Sequence, residues 1–180
     1  FVIACALCGG KVEIAGAEPE HISSLLVKLS KTACKIVINN DRIYIANNRR
    51  LKSLGYVETM PYPGFPTDLQ AQTMVLESVA YGTSVIVENI FETRFKHVPE
   101  LVKMGASITV KDRNAFIKGV ERLYGAEVRA GDLRGGVALV LAGMKAEGAT
   151  TVSDIYHIDR GYENLDGTLR SLGADIIREM

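Results

Sequence analysis

Three stretches of this 180-residue chain repeat one another, and the repeat limits what the chain can fold into. Leu29-Ser-Lys-Thr-Ala-Cys-Lys-Ile36, Leu101-Val-Lys-Met-Gly-Ala-Ser-Ile108 and Leu169-Arg-Ser-Leu-Gly-Ala-Asp-Ile176 lie 72 and 68 residues apart. Each reads as a helix end, a small residue or glycine, then a short strand. Gly10-Lys-Val-Glu-Ile14 matches Gly82-Thr-Ser-Val-Ile86 at the same 72-residue spacing, and Gly148-Ala-Thr-Thr-Val152 is a third copy.

Each copy carries two kinds of helix. Residues 1–8, 69–80 and 137–144 are apolar nearly all round, and such a helix must be covered on every side. The second kind is amphipathic: Ile22, Leu25, Leu26 and Leu29 form one stripe, Val98, Leu101 and Val102 another, and Leu165, Leu169 and Leu172 a third. Short β-branched segments lie between them, at 12–14, 35–38, 43–46, 85–87, 107–110, 115–117 and 150–152. The predicted fold class is therefore α/β, a pseudo-threefold repeat of strand–helix–strand–helix–strand units with helices inside and sheets outside. The units fall at approximately 1–50, 51–120 and 121–180, in one domain. The first begins within its buried helix and lacks the lead-in of the other two, so the expectation is the C-terminal part of a longer chain.

Composition narrows the partners. Hydrophobic residues make up 47% of the chain, enough for a sizeable core without disulfide or metal. Lys+Arg and Asp+Glu both number 21, and a net charge of zero argues against nucleic acid or an anionic membrane as partner, since both select positive excess. The longest apolar runs are far too short to span a bilayer, and there is no basic leader. Cys5, Cys8 and Cys34 are an odd number in a chain expected to be cytoplasmic, and they read as small buried hydrophobes. His21, His97 and His157 have no spacing that suggests a metal or a triad, and each reads as structural. No metal and no cofactor is expected.

The helix starts carry the chemistry. Pro66-Thr-Asp-Leu-Gln70 has the form of a capping box, with Thr67 as N-cap and Gln70 at N3. Gly131-Asp-Leu-Arg134 is the matching start in the third copy. Asp68 and Asp132 suit a helix dipole, so on residue type alone capping would account for them, and the other reading is a carboxylate, Asp68, beside an anion site. Arg134 in a first turn opposes the dipole, as do Arg160 before a helix beginning near Tyr162, and Arg94 and Lys96 before the Pro99 helix. Charges placed against local preference at equivalent starts point to an anion site, where free backbone N–H groups and arginine forks act together. Three prolines within residues 61–66 make a stiff loop that delivers Asp68 to a fixed place.

Four motifs support a family resemblance: Tyr62-Pro-Gly-Phe-Pro-Thr-Asp-Leu-Gln-Ala-Gln72, Glu88-Asn-Ile-Phe-Glu-Thr-Arg-Phe-Lys-His-Val-Pro-Glu-Leu101, Asp132-Leu-Arg134 and Tyr156-His-Ile-Asp-Arg-Gly-Tyr-Glu163. Together, through essentially the whole chain, they closely resemble the UDP-N-acetylglucosamine 1-carboxyvinyltransferase family. The resemblance implies two domains, each an inside-out α/β barrel of three repeated units. It implies transfer of enolpyruvate from phosphoenolpyruvate to the 3′-hydroxyl of UDP-N-acetylglucosamine through a tetrahedral intermediate, with release of phosphate, at the start of peptidoglycan synthesis. Asp68 would be the base on the sugar hydroxyl. Asp68, Thr67, Ile90 and Phe91 would face the sugar nucleotide. Arg134 and Arg160 would hold phosphoenolpyruvate, with Asp132 and Arg94 behind them. The family's mobile loop, with its catalytic cysteine, belongs to the other, N-terminal domain, so half the active site would lie outside this chain, and Cys5, Cys8 and Cys34 match no part of it. Two other readings stand beside this one: a 5-enolpyruvylshikimate-3-phosphate synthase-like enzyme, and a non-catalytic sugar-nucleotide binding module.

Overall fold

The structure, a computed structural model, describes residues 1–179. Helix α1 (Val2–Cys8) leads into strand β1 (Gly10–Ile14), helix α2 (Ser23–Ser30) and the hairpin β2 (Lys35–Asn39) and β3 (Arg42–Asn47). Next come β4 (Tyr56–Glu58), α3 (Gln70–Val79), β5 (Thr83–Val87), α4 (Val98–Lys103) and the hairpin β6 (Ser107–Lys111) and β7 (Asn114–Lys118). The rest is β8 (Glu127–Arg129), α5 (Leu133–Lys145), β9 (Thr151–Ser153), α6 (Tyr156–Asp159) and α7 (Leu165–Ser171). The strands form three separate sheets, ordered β1-β3-β2, β4-β5-β7-β6 and β8-β9. β4 pairs with β5 and β8 with β9 in parallel, while the hairpins pair antiparallel. The arrangement is inside-out, as expected, but the sheets do not close into a barrel.

Helices α1, α3 and α5 touch one another at the centre. All ten residues of α3 are buried, as are six of the seven in α1. For α1 that burial follows from its apolar surface, since no face could be left to water. The sheets show the period of two: Ile43 and Ile45 of β3 point inward and are buried, while Arg42 and Tyr44 point out. No helix among the described residues is long and apolar enough to cross a membrane.

The second and third copies close their amphipathic helices with the same hydrogen bonds. α4 ends with the Ala106 N–H donating to Leu101 O at 3.0 Å and the Gly105 N–H to Val102 O at 2.9 Å; α7 ends with Ala174 to Leu169 and Gly173 to Arg170, both at 3.0 Å. Gly105 and Gly173 have φ of 92° and 97°, the left-handed turn that closes a helix this way and that glycine accepts without strain.

Four expectations need correction. Residues 174–176 do not form a strand, because no partner strand pairs with them among the described residues and an unpaired strand leaves its backbone groups unbonded. Val102 and Leu172 do not belong to the buried stripes; they lie at the outer edge of their helices, 46% and 61% exposed. The three-residue strands β4 and β8 were not legible, being too short for a period to show. The α3 segment is buried all round but not apolar all round, since Gln70, Gln72, Thr73, Glu77 and Ser78 are buried with it.

Glu77 has partners. It accepts from Ser53 Oγ at 2.8 Å and from the Leu54 N–H at 3.2 Å, which ties the crossover before β4 to the central helix. Burial pushes its carboxyl above the ordinary 4.5, against those hydrogen bonds, which favour the ionised form. A carboxyl raised by folding binds its proton more tightly folded than unfolded. Its contribution is therefore intact below pH 4.5 and declines as pH rises through the raised value. Glu77→Gln is expected to remove that decline, so that the variant gains on the parent from acid to neutral pH. Urea midpoints at pH 4 and 7 compare them; a constant difference between the two proteins would contradict the account.

Candidate functional site

Helices α1, α3 and α5 run in the same direction. Asp68, just before α3, meets Arg134, in the first turn of α5, while Cys8, Val79 and Lys145 at the three far ends line one cavity of about 370 Å³. Parallel helices gather their positive ends at one pole and their carbonyl ends at the other. At the carbonyl pole Arg50 donates to the Val79, Ala80 and Val120 carbonyls at 2.8, 3.1 and 2.7 Å. The amino pole is where the sequence-predicted site residues lie.

Asp68 is the middle residue of a short 3₁₀ turn, Thr67–Leu69, entered from the proline loop. The capping box does not form. Pro66 stands at the N-cap position, and the Thr67 hydroxyl turns away to donate to Glu88 Oε2 at 2.9 Å. A stronger, charged acceptor within reach takes the hydroxyl from the helix end. Asp68 does not cap either: its carboxylate lies between two arginines, with Arg94 Nη2 at 3.0 Å from Oδ1 and Arg134 Nη2 at 2.7 Å from Oδ2. The hydrogen bond from Arg134 holds the Asp68 carboxyl below its ordinary 3.8; partial burial opposes this, and the charge of Arg134 and then Arg94 add to it. Its side chain is 51% exposed, so the two ion pairs together contribute little to stability.

Both arginines are braced by an aromatic ring. The Arg94 guanidinium lies 4.7 Å from the centre of the Phe91 ring. Arg134 donates Nη1 to Tyr162 Oη at 3.1 Å and lies 5.8 Å from that ring. Asp132 caps α5, its Oδ1 accepting from the Gly135 N–H at 2.7 Å, and so sets the turn that carries Arg134.

Arg160 differs from expectation in its electrostatics. It follows α6 as its C-cap, at a negative helix end, and the next helix begins only at Leu165. The dipole therefore favours this arginine, and only Arg134 stands against one inside a helix. Arg160 is exposed and makes no side-chain hydrogen bond or ion pair among the described residues. Its turn is nevertheless pressed against the start of α5: a Cβ on Gly161 would come within 2.9 Å of Leu133 Cδ2. That close approach brings the Arg160 turn beside Arg134.

Ile90 and Phe91 follow β5 in a loop on the same side. Their N–H groups donate to Glu88 Oε1 at 2.9 and 3.1 Å, so the backbone group that Ile90 has left for a ligand is its carbonyl. Glu88, 1% exposed, and Tyr162 are the site residues that sequence reasoning missed. Both lie inside the quoted motifs; the signal for Glu88 was a carboxylate directly after a β-branched strand, which could be buried only with donors around it.

The three histidines lie apart from one another, on separate elements. His97 is buried and its pKa is lowered by burial to about 4, so it is neutral at pH 7. His157 lies 4.2 Å from the Tyr156 ring. The three cysteines are unpaired; Cys5 and Cys34 are buried as expected, whereas Cys8, the last residue of α1, is exposed. Desolvation by the surrounding protein raises all three thiols, opposite to what a reactive thiolate needs. No group of His, Cys, Asp or Glu among the described residues is arranged to hold a metal.

Comparison with known proteins bears on this site. Residues 1–169 match the sequence profile of EPSP synthase (3-phosphoshikimate 1-carboxyvinyltransferase). The chain is 50% identical over 180 residues to UDP-N-acetylglucosamine 1-carboxyvinyltransferase 2 of Caldanaerobacter subterraneus subsp. tengcongensis, covering 100% of this chain and 43% of that protein. It is 50% identical over 178 residues to UDP-N-acetylglucosamine 1-carboxyvinyltransferase of Desulfosudis oleivorans, covering 99% and 42%. Among solved structures, the enolpyruvyl transferase NikO from Streptomyces tendae superposes with a TM-score of 0.85 at 26% identity, covering 97% of this chain and 42% of that one. EPSP synthase from Acinetobacter baumannii, at 20% identity and a TM-score of 0.71 over 99% and 42%, shares the fold. The chain thus spans less than half the length of the relatives it matches.

The ion-pair geometry sets an order of effects. Arg134→Ala is expected to raise the Asp68 carboxyl pKa more than Arg94→Ala does, because the Arg134 bond is the largest cause of its lowering. Carbon-13 NMR titration of the carboxyl reads both; equal shifts, or a larger one from Arg94→Ala, would contradict the geometry.

Proposed function

The chain belongs to the EPSP synthase family of carboxyvinyltransferases, and from that premise we propose that it is part of a UDP-N-acetylglucosamine 1-carboxyvinyltransferase. The protein moves enolpyruvate from phosphoenolpyruvate to the 3′-hydroxyl of UDP-N-acetylglucosamine and releases phosphate. The observation that carries the reading is the Asp68 carboxylate set between Arg94 and Arg134 at the amino pole, within a chain 50% identical along its whole length to enzymes of that name.

Asp68 accepts the proton of the sugar hydroxyl as its oxygen attacks C2 of phosphoenolpyruvate, a role that needs hydrogen-bond reach above all. Loss of a C3 proton and of phosphate from the tetrahedral intermediate then gives the enol ether. Arg134 and Arg160 hold the phosphate and carboxylate of phosphoenolpyruvate and stabilise the charge of the tetrahedral intermediate. Thr67, Ile90 and Phe91 border the sugar nucleotide, with Arg94 and Asp132 supporting the two ends of the cleft. A base with a lowered pKa is weak, and the same ion pair supplies the remedy. When a substrate anion takes up the Arg134 fork, Asp68 loses its strongest partner and its proton affinity rises. The proton for C3 of the enolpyruvyl group comes from the other, N-terminal domain, whose closure over the cleft also excludes water. The setting is cytoplasmic, in peptidoglycan synthesis, where cell-wall growth serves cell shape, division and the cell cycle. No cofactor, nucleic acid or membrane enters the reaction.

A second reading, a 3-phosphoshikimate 1-carboxyvinyltransferase, is favoured by the profile that the chain matches. The higher identity to the sugar-nucleotide enzymes outweighs it, since at 20% identity the shikimate enzyme shares only the fold.

Phosphate release by the full-length protein separates the two. It is expected with phosphoenolpyruvate and UDP-N-acetylglucosamine; release with 3-phosphoshikimate alone would reverse the assignment. Asp68→Asn is expected to lower turnover by roughly 10²-fold or more, the scale of a lost general base, with a smaller change in sugar-nucleotide affinity. Arg134→Ala and Arg160→Ala are expected to weaken phosphoenolpyruvate use while stability stays within about 1 kcal/mol, the scale of an exposed charge at a helix end. Near-normal turnover by Asp68→Asn would remove it from the base role.

A further inference from the structure

The residues around Asp68 form a closed ring. From Glu88, one path runs through Thr67: Thr67 Oγ1 donates to Glu88 Oε2 at 2.9 Å, and Asp68 is the next residue. The other runs through Phe91: its N–H donates to Glu88 Oε1 at 3.1 Å, its ring lies 4.7 Å from the Arg94 guanidinium, and Arg94 donates to Asp68 Oδ1 at 3.0 Å. Glu88 is the only ring member that is 1% exposed and directly holds both halves.

Its surroundings make it rigid. Oε1 also accepts from the Thr59 hydroxyl and from the Ile90 N–H, both at 2.9 Å. The carboxylate therefore receives four donors, at 2.9 to 3.1 Å. Buried, charge-assisted bonds of this kind are strong, and each donor would be left unpaired without it. The backbone on either side is fixed too. The Glu88 N–H donates to Arg113 O at 2.9 Å, Arg113 Nη1 donates to Asn89 O at 3.0 Å, and the Asn89 N–H donates to Thr59 Oγ1 at 2.9 Å. Glu88 thus stands on the ends of the paired strands β4 and β5 and reaches from there to two loops whose other link, through Arg94 to Asp68, is half exposed.

We infer that Glu88 is a positioning residue: it sets the Asp68 turn and the Ile90–Phe91 loop at a fixed distance, and so holds the proton acceptor against the bound sugar nucleotide. The inference rests on the transferase reading above. It does not make Glu88 a participant in proton transfer, since its oxygens are occupied by protein donors. Glu88→Gln can keep the ring, because the amide oxygen still accepts on the Oε1 side while the amide nitrogen donates to the Thr67 hydroxyl. Glu88→Ala cannot.

The experiment uses the full-length protein with phosphoenolpyruvate and UDP-N-acetylglucosamine. Glu88→Ala is expected to lower kcat/KM for the sugar nucleotide on the order of 10²-fold, the effect of a misplaced reacting group. The KM for phosphoenolpyruvate should stay within about twofold, Arg134 and Arg160 lying on other elements, and Glu88→Gln should recover most of the loss. Hydrogen exchange gives a readout independent of turnover: the Ile90 and Phe91 amides should exchange faster in Glu88→Ala, while the β5 amides keep their protection. If Glu88→Ala does not fold, Thr59→Val serves, since it removes one donor to Oε1. It should show the same KM split at smaller amplitude and the same local exchange. Equal rises in both KM values, no rescue by Glu88→Gln, or unchanged exchange at Ile90 and Phe91 would overturn the inference. A parent protein that releases no phosphate would overturn the transferase reading instead, and the exchange data would then decide on the ring alone.

Discussion

The architecture depends on three central helices that cannot be left in contact with water. α1 is apolar nearly all round and must be wrapped on every side, and α3, though it carries Gln70, Gln72, Thr73, Glu77 and Ser78, is buried along its whole length between its neighbours. Two helices cannot wrap each other; three helices with sheets outside them can. The same packing aligns the three in one direction, which places like dipole ends together at both poles. At one pole Arg50 relieves the crowding of carbonyls by donating to several of them. At the other, the amino ends of the helices and Arg134 meet the Asp68 carboxylate. The proposed anion-binding cleft lies at that pole, where the way the core is built puts these ends together.

Asp68 holds its place through contacts that contribute little to stability and much to geometry. Its side chain is half exposed, where ion pairs are screened. The rigidity comes from below, from a buried carboxylate with four donors. A similar division recurs at Arg134, whose fork is shared between Asp68 and Tyr162 while Asp132 sets the helix turn beneath it. In both places partly exposed charges stand on hydrogen bonds that fix their positions.

The repeat, the fold class and the amino-pole residues Asp68 and Arg134 were legible because each leaves a local trace. A repeat shows as recurring residues, the buried helix α1 as unbroken apolar character, and a misplaced arginine as a violation of dipole preference. Thr67 misled because a hydroxyl before a helix has two uses, and only the position of Glu88, 21 residues on, decides between them. Arg160 misled because its electrostatics depend on where one short helix ends and the next begins, and the local pattern placed that boundary several residues early. Leu172 and Val102 were read as core from spacing alone, although a residue in the last turn can leave the stripe without breaking the period.

By itself the sequence determined what had to be hidden and what had to repeat: three apolar helices, paired strand segments of period two, glycines at 105 and 173 where a helix must close, and a proline loop before Asp68. These are properties of neighbouring residues, and neighbouring residues settle them. The tertiary structure alone decided which charges meet. Asp68 and Arg134 are 66 residues apart, and Glu88 collects donors from three separate segments of chain. Coulombic and hydrogen-bond partners are chosen by distance in space, so a pattern along the chain can mark a residue as a candidate and cannot say what it will touch.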